Sequence, residues 1–230
     1  MRLKEQKGRM DGKSAYMRVF GNERLGNLIS KIQATVISNG SELERIILSK
    51  TNTIDDLELF INNSEAGIQK DGIYVCSKKT IKKSKYNVKD PVTDKGIEPD
   101  LLVFIIERHR VCKIIELKDG DTFDTKKISG EREHLITFSK EFGSKIPFRT
   151  EIYICTFNQD DMDSIKTGLK NYFKEDEILT GRDFCKILNI NYDEIIRLRM
   201  KDAEDNLNYF IDELLKIKKV RSLIEKKLKK

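Results

Sequence analysis

Asp100, in "GIEPDLLVF", opens one β-rich run. Glu116 and Lys118, in "VCKIIELK", close the next. Side chains alternate along a strand, so residues 116 and 118 point to the same side. If the two runs pair as a hairpin, Asp100 at its open end lies beside them, across 15 intervening residues. Two carboxylates and a backbone carbonyl suit a hard divalent cation such as Mg²⁺, which keeps water in its remaining positions. Such an ion neutralises charge on a phosphodiester and lowers the pKa of a bound water. A lysine beside it can orient or deprotonate the attacking water and offset charge developing at phosphorus. The chemistry to expect is in-line phosphodiester hydrolysis.

The acid-x-Lys triplet alone carries little weight, because the chain has five: at residues 5–7, 11–13, 116–118, 124–126 and 225–227. Only the third ends a β-rich run and has a Pro-Asp at the start of a second one. The elements around it must therefore do the positioning. "LLVFII" (101–106) and "VCKIIEL" (111–117) are joined by the short charged "ERHR", which predicts an antiparallel hairpin. Pro99 blocks helix and marks the strand entry. A helix is expected from about Ser129, with Leu135, Phe138 and Phe142 at helical spacing. "RTEIYICTF" (149–157) is a third strand, and another helix follows near 160–173. Strand, helix, strand at this spacing implies a right-handed crossover and a parallel pair. The fold class is α/β, a mixed central sheet flanked by helices.

Upstream, "NERLGNLISKIQATVIS" places Leu25, Leu28, Ile29, Ile32 and Val36 on one face. "SNG" is expected to break that helix. "SELERIIL" would restart it, with Ser41 as N-cap and Glu44 at the capping-box position. The lysine-rich segment 77–95 reads as an exposed loop. The last third reads as helical: short helices broken near 189–191, then one or two amphipathic helices over 202–229. Two regions follow, a core with N-terminal helices over 1–175 and a helical C-terminal region over 176–230 suited to DNA binding or dimerisation.

Composition narrows the classes. No apolar run is long enough to span a membrane, and "MRLKEQKGRMDGKS" lacks the apolar stretch of a secretory signal, so a cytoplasmic protein is expected. The four cysteines are far apart and read as buried free thiols; two histidines in the whole chain leave little from which to build a zinc site or a Ser-His-Asp triad. The net charge of +6 is uneven: residues 216–230 carry eight Lys/Arg against one Glu, and 78–89 carry six lysines and no acid. Clustered cations beside an otherwise near-neutral body fit a polyanion partner, or a lysine-rich bias. The basic tail could lie along phosphates, pack on a second subunit or fray in solvent.

Taken together, "IEPDLLVF" and "VCKIIELK" resemble the core of the PD-(D/E)XK nucleases, with Pro99-Asp100 as the PD and Glu116-Leu117-Lys118 as the E-x-K. The resemblance covers about residues 97–157. With "ELKDGDTFDTKK", the upstream "NGSELERI" helix and the helical C-terminal part, it narrows toward type II restriction endonucleases. It implies a restriction-endonuclease-like core, Asp100 and Glu116 as ligands of Mg²⁺ with the Leu117 carbonyl, and Lys118 as the catalytic lysine. Glu44, with Glu42 behind it, is the candidate for the early-helix glutamate that supports such sites; a plain capping role is the alternative.

The resemblance further implies cleavage of double-stranded DNA at a specific sequence, a homodimer on a palindromic site, and a cognate DNA methyltransferase protecting that site. Other readings are a structure-specific or repair nuclease of the same superfamily, and a non-catalytic nucleic-acid-binding module. Lys126, Lys127 and Arg132 could hold phosphates or merely solvate a loop. Asp121 and Asp124 could support the site or cap turns. His109 belongs to the hairpin turn, away from the trio. Tyr172, Phe173, Tyr209 and Phe210 read as core residues.

Overall fold

The computed structural model describes residues 2–5, 7, 15–90, 93–120 and 125–229, and the side chains of all of these except 39, 40 and 125–127. The described elements run α1 (Ala15–Phe20), α2 (Glu23–Ser49), β1 (Asn52–Thr53), α3 (Leu57–Glu65), β2 (Gly72–Ser77), α4 (Lys78–Lys83), β3 (Leu101–Ile106), β4 (Arg110–Lys118), α5 (Thr125–Gly143), β5 (Arg149–Thr156), α6 (Met162–Gly168), β6 (Ile178–Thr180), α7 (Gly181–Leu188), α8 (Tyr192–Leu215) and α9 (Lys218–Leu228). The chain divides into two units. One joins Met1–Glu42 to Asp193–Lys230, and the other is Leu43–Tyr192.

The second unit holds a six-stranded sheet in sequential order β1 to β6. β2, β3 and β4 are antiparallel neighbours; β1 is parallel to β2, and β4, β5 and β6 are mutually parallel along the row. The expected hairpin and the parallel crossover pair are both present, so the sheet is mixed as its sequence pattern requires. Alternation decides what each face buries. Cys76, Leu102, Phe104, Ile106, Cys112, Ile114 and Ile154 join one cluster with Phe60 and Ile61 of α3, Leu135, Phe138 and Phe142 of α5, and Ile165 of α6. The alternate residues Val75, Leu101, Val103, Ile115 and Cys155 are fully buried on the other side. α5 packs on β4 and β5, and α7 packs on β5 and β6.

Two expectations are corrected. α2 runs unbroken through Ser38-Asn39-Gly40, so Ser41 caps nothing. A helical glycine costs only about 1 kcal/mol, and burial of Leu43 and Ile47 just beyond it outweighs that. The segment 77–95 is not simply a loop: it contains the end of β2 and the whole of α4, capped by the Ser77 hydroxyl accepting from the Thr80 N–H. Apolar residues spaced among its lysines, Ile81, Tyr86 and Val88, are buried and anchor it. Exposure also differs from the sequence reading at two places: Val36 and Tyr172 face solvent, while Phe173 is core.

The C-terminal region expected to be helical from residue 176 is so except at its start, where β6 (Ile178–Thr180) joins the sheet beside β5. Thr180 and Asp183 form a capping box at the start of α7, and Asn189 ends it in the left-handed conformation at φ 54°. All four cysteines are free and buried. Burial pushes the thiols of Cys76 and Cys185 up to about 12 and raises those of Cys112 and Cys155, so they remain protonated packing groups. No helix of the described residues is long and apolar enough to cross a membrane.

Phe104 is the aromatic hub of the core: its ring centroid lies 4.9 Å from that of Phe60, 5.0 Å from Phe148 and 6.4 Å from Phe142. Phe104→Ala should destabilise the protein by about 3–5 kcal/mol, read from the midpoint of denaturant unfolding.

Candidate active site

The site is set by strand register. In the β2–β3 pair, Ser77 faces Leu101; in the β3–β4 pair, Leu101 faces Ile115. Extending both ladders by one residue lines up Lys78, Asp100 and Glu116 as a row across three chain segments. The backbone agrees, since the Lys78 N–H donates to the Asp100 carbonyl at 3.1 Å. Alternation then turns these side chains toward the face that carries Cys76, Leu102 and Ile114, the face covered by α5.

Side-chain contacts complete the cluster. Asp100 Oδ1 accepts from Lys78 Nζ at 3.2 Å, and its Oδ2 accepts from the Leu117 N–H at 3.0 Å. Lys118 Nζ donates to Glu116 Oε1 at 2.8 Å and to Glu131 Oε1, from α5, at 2.7 Å. The structure therefore brings Asp100, Glu116 and Lys118 together, and Leu117, between the last two on β4, joins them to Asp100 through its N–H. Glu44 lies on α2 within electrostatic reach of Asp100 and Lys78. Glu42, which is buried where Glu44 is half-buried, precedes it on the helix.

Arg132 is placed differently. Its guanidinium forks onto both carboxylate oxygens of Glu177 at 2.9 and 2.7 Å, a bidentate pair that ties α5 to the segment before β6. The side chains of Lys126 and Lys127, and the whole of Asp121 and Asp124, lie outside the described residues. His109 sits in the bend between β3 and β4, at the opposite end of the hairpin from Asp100.

Three site residues escaped the sequence reading. Lys78 was hidden inside a lysine-rich stretch; the strand-like "GIYVCS" before it is the signal that would have placed it. Glu131 reaches Lys118 only because the crossover helix returns over the end of β4. Glu98 stands two residues before Asp100, within electrostatic reach of Lys78. Glu98 is buried, and its Oε1 has no hydrogen-bond partner; the same holds of the buried Oε2 atom of the part-buried Glu131.

The electrostatics are unbalanced. Glu44, Glu98, Asp100, Glu116 and Glu131 surround two ammoniums, those of Lys78 and Lys118. Burial, then the Asp100 charge, pushes the Glu116 carboxyl up to about 7, with Glu131 adding to the rise and Lys118 opposing it. Burial followed by Asp100 raises Glu44 as well. Burial pulls the Lys118 ammonium down, but Glu116 and Glu131 outweigh it and hold the group above the usual lysine range. Lys78 is raised in the same way, chiefly by Asp100 and Glu116.

A divalent cation fits this donor set. It would supply the positive charge that five carboxylates lack, and two unpartnered buried carboxylate oxygens stand nearby. Among the described residues no three His, Cys, Asp or Glu side chains form a ready-made cage. Asp100 and Glu116 offer two hard oxygen donors, which is the number Mg²⁺ commonly takes from protein side chains.

Comparisons with known proteins bear on the whole chain. It is 53% identical over 220 residues to the type II restriction enzyme HhaII of Haemophilus parahaemolyticus, covering 95% of this chain and 96% of that one. No protein-family model matches, and no solved structure does.

Because the folded-state pKa of Glu116 lies above its unfolded value, the group's contribution to stability is present at low pH and is lost as pH rises through about 7. Glu116→Gln removes that loss. In EDTA the melting temperature of the variant, relative to the parent, should rise between pH 5 and pH 8. A difference that stays flat would show that Glu116 is not held neutral by its surroundings.

Proposed function

This chain belongs to the type II restriction enzymes, and from that membership we propose how the cluster at the end of the sheet cleaves DNA. The enzyme is a site-specific deoxyribonuclease acting on double-stranded DNA. The reading of the site as a PD-(D/E)XK centre rests above all on the cross-strand row of Lys78, Asp100 and Glu116 with Lys118 beside it.

Asp100 and Glu116 would hold Mg²⁺ together with the Leu117 carbonyl, and Glu44 would support them. Bound there, Mg²⁺ supplies a Lewis acid for the scissile phosphate and lowers the pKa of the attacking water. The chain's own groups do the rest. Leu117's N–H fixes one oxygen of Asp100 and so orients the other. Glu131 and Glu116 hold Lys118 from two sides. Because those carboxylates keep Lys118 protonated, it acts as a cation that orients water and offsets charge growing on the phosphate. Lys78 is a second cation on the same face, paired to Asp100 and half exposed, placed to meet a phosphate oxygen.

A palindromic site read by a homodimer is the simplest way for such an enzyme to cut both strands, since two-fold protein symmetry matches two-fold DNA symmetry. A methyltransferase of the same specificity would protect the host's own copies of the site, and a cytoplasmic location would put the enzyme with its DNA.

Unmethylated plasmid or phage DNA incubated with the protein should give discrete bands with Mg²⁺ and none in EDTA. Asp100→Ala and Lys118→Ala should each lower the cleavage rate by about 10²-fold or more while gel-shift binding persists. A smear, or cutting restricted to branched DNA, would overturn the sequence-specific reading. Full activity in Asp100→Ala would remove the site from it. Lys78→Met should also slow cleavage, by about 10-fold or more if it stabilises charge in the transition state.

A further inference from the structure

Among the described residues, eleven of the fourteen exposed large apolar side chains belong to the unit made of Met1–Glu42 and Asp193–Lys230. On α8 they form a pattern. Met200, Leu207, Ile211 and Leu215 recur at spacings of seven, four and four and are 66, 61, 43 and 42% exposed. They lie on one side of the helix over about 22 Å at 1.5 Å per residue, a stripe with the exposed Glu204 set between Met200 and Leu207. The opposite face of α8 is already engaged within the unit: Asp202 pairs with Arg2 at 3.2 Å, the Asn206 side chain accepts from the Leu3 N–H, and the Tyr209 hydroxyl accepts from Lys31 Nζ at 2.8 Å. The stripe faces outward, mostly open at Met200 and Leu207 and part-covered at Ile211 and Leu215, as an interaction surface does.

The charges beside the stripe are those of a self-complementary face. Lys201 and Asp212 are eleven residues apart, three helical turns, so they flank the stripe on the same side at its two ends. Laid antiparallel about a two-fold axis, two such helices set Lys201 of each against Asp212 of the other while the apolar stripes meet. In a parallel two-fold pair these two residues would lie on opposite flanks of the seam, so Lys201 of one helix would not meet Asp212 of the other.

We propose that the occupant of this stripe is a second copy of the chain, joined through an antiparallel α8–α8 contact. The interface is isologous, the same patch on both subunits. This rests on the reading of the protein as a restriction enzyme that cuts both strands of a two-fold site, and it names the surface that builds the dimer.

Sedimentation velocity on the full chain tests it, with circular dichroism to confirm folding. The parent should sediment as a dimer, and Leu207→Asp with Ile211→Asp as a folded monomer. Lys201→Glu and Asp212→Lys should each weaken the dimer by about tenfold or more. The two together in one chain should restore it, an outcome peculiar to the antiparallel register. A dimer that persists in the apolar double variant, or charge variants whose effects add without rescue, would overturn the proposed interface. So would a monomeric parent, free and on DNA. Mg²⁺-dependent fragments from the parent are read separately: their absence would count against the nuclease reading, whereas fragments from a protein that dimerises elsewhere would leave that reading intact.

Discussion

The arrangement depends on holding more carboxylate than ammonium at a half-buried sheet end. Charges removed from water repel one another more strongly than they would in solvent, and a structure with freedom to relax would splay them apart. Here they are carried on paired backbone. Lys78, Asp100 and Glu116 stand one residue from hydrogen-bonded ladders, and Leu117's own amide grips Asp100. The repulsion is borne by the sheet, and it leaves the site short of the positive charge that a metal ion and a phosphate's partners would contribute.

The sheet can bear it because it is tied down behind the site. β3 is buried almost along its length, with Phe104 at the centre of an aromatic group supplied by α3, α5 and the segment before β5. The same helix that closes this core, α5, brings Glu131 to Lys118 and Arg132 to Glu177. Packing and electrostatics thus share an element: the apolar side of α5 sets its distance from the sheet, and its polar side sets where the lysine's ammonium can sit.

Much of this was readable in the chain. The trio Asp100, Glu116 and Lys118 could be assembled on paper because strand alternation and hairpin pairing are short-range rules, and the separation of the two β-rich runs left little freedom. Lys78 and Glu131 could not. Their places depend on which strand lies next to β3 and on how far α5 leans over β4, and both follow from tertiary packing. The supposed break at Ser38-Asn39-Gly40 failed for a related reason. Local propensity favours an end there, but burial of Leu43 and Ile47 carries α2 through. With no helix start at Ser41, Glu44 has no cap to form, and the competing explanation for its presence near Asp100 falls away. The grouping of the chain's two ends into one unit is likewise a long-range outcome that no local pattern announces.

The hairpin between Asp100 and Glu116 has an evolutionary side. Its two arms can lengthen or shorten together, adding a residue to each, and every cross-strand pair at the open end keeps its partner. The number of residues separating the two acids is therefore free to drift while their spatial relation is conserved. A search that demands a fixed interval between them would overlook proteins with the same chemistry. One that allows the interval to vary, but requires each acid at the open end of a paired strand, would find them.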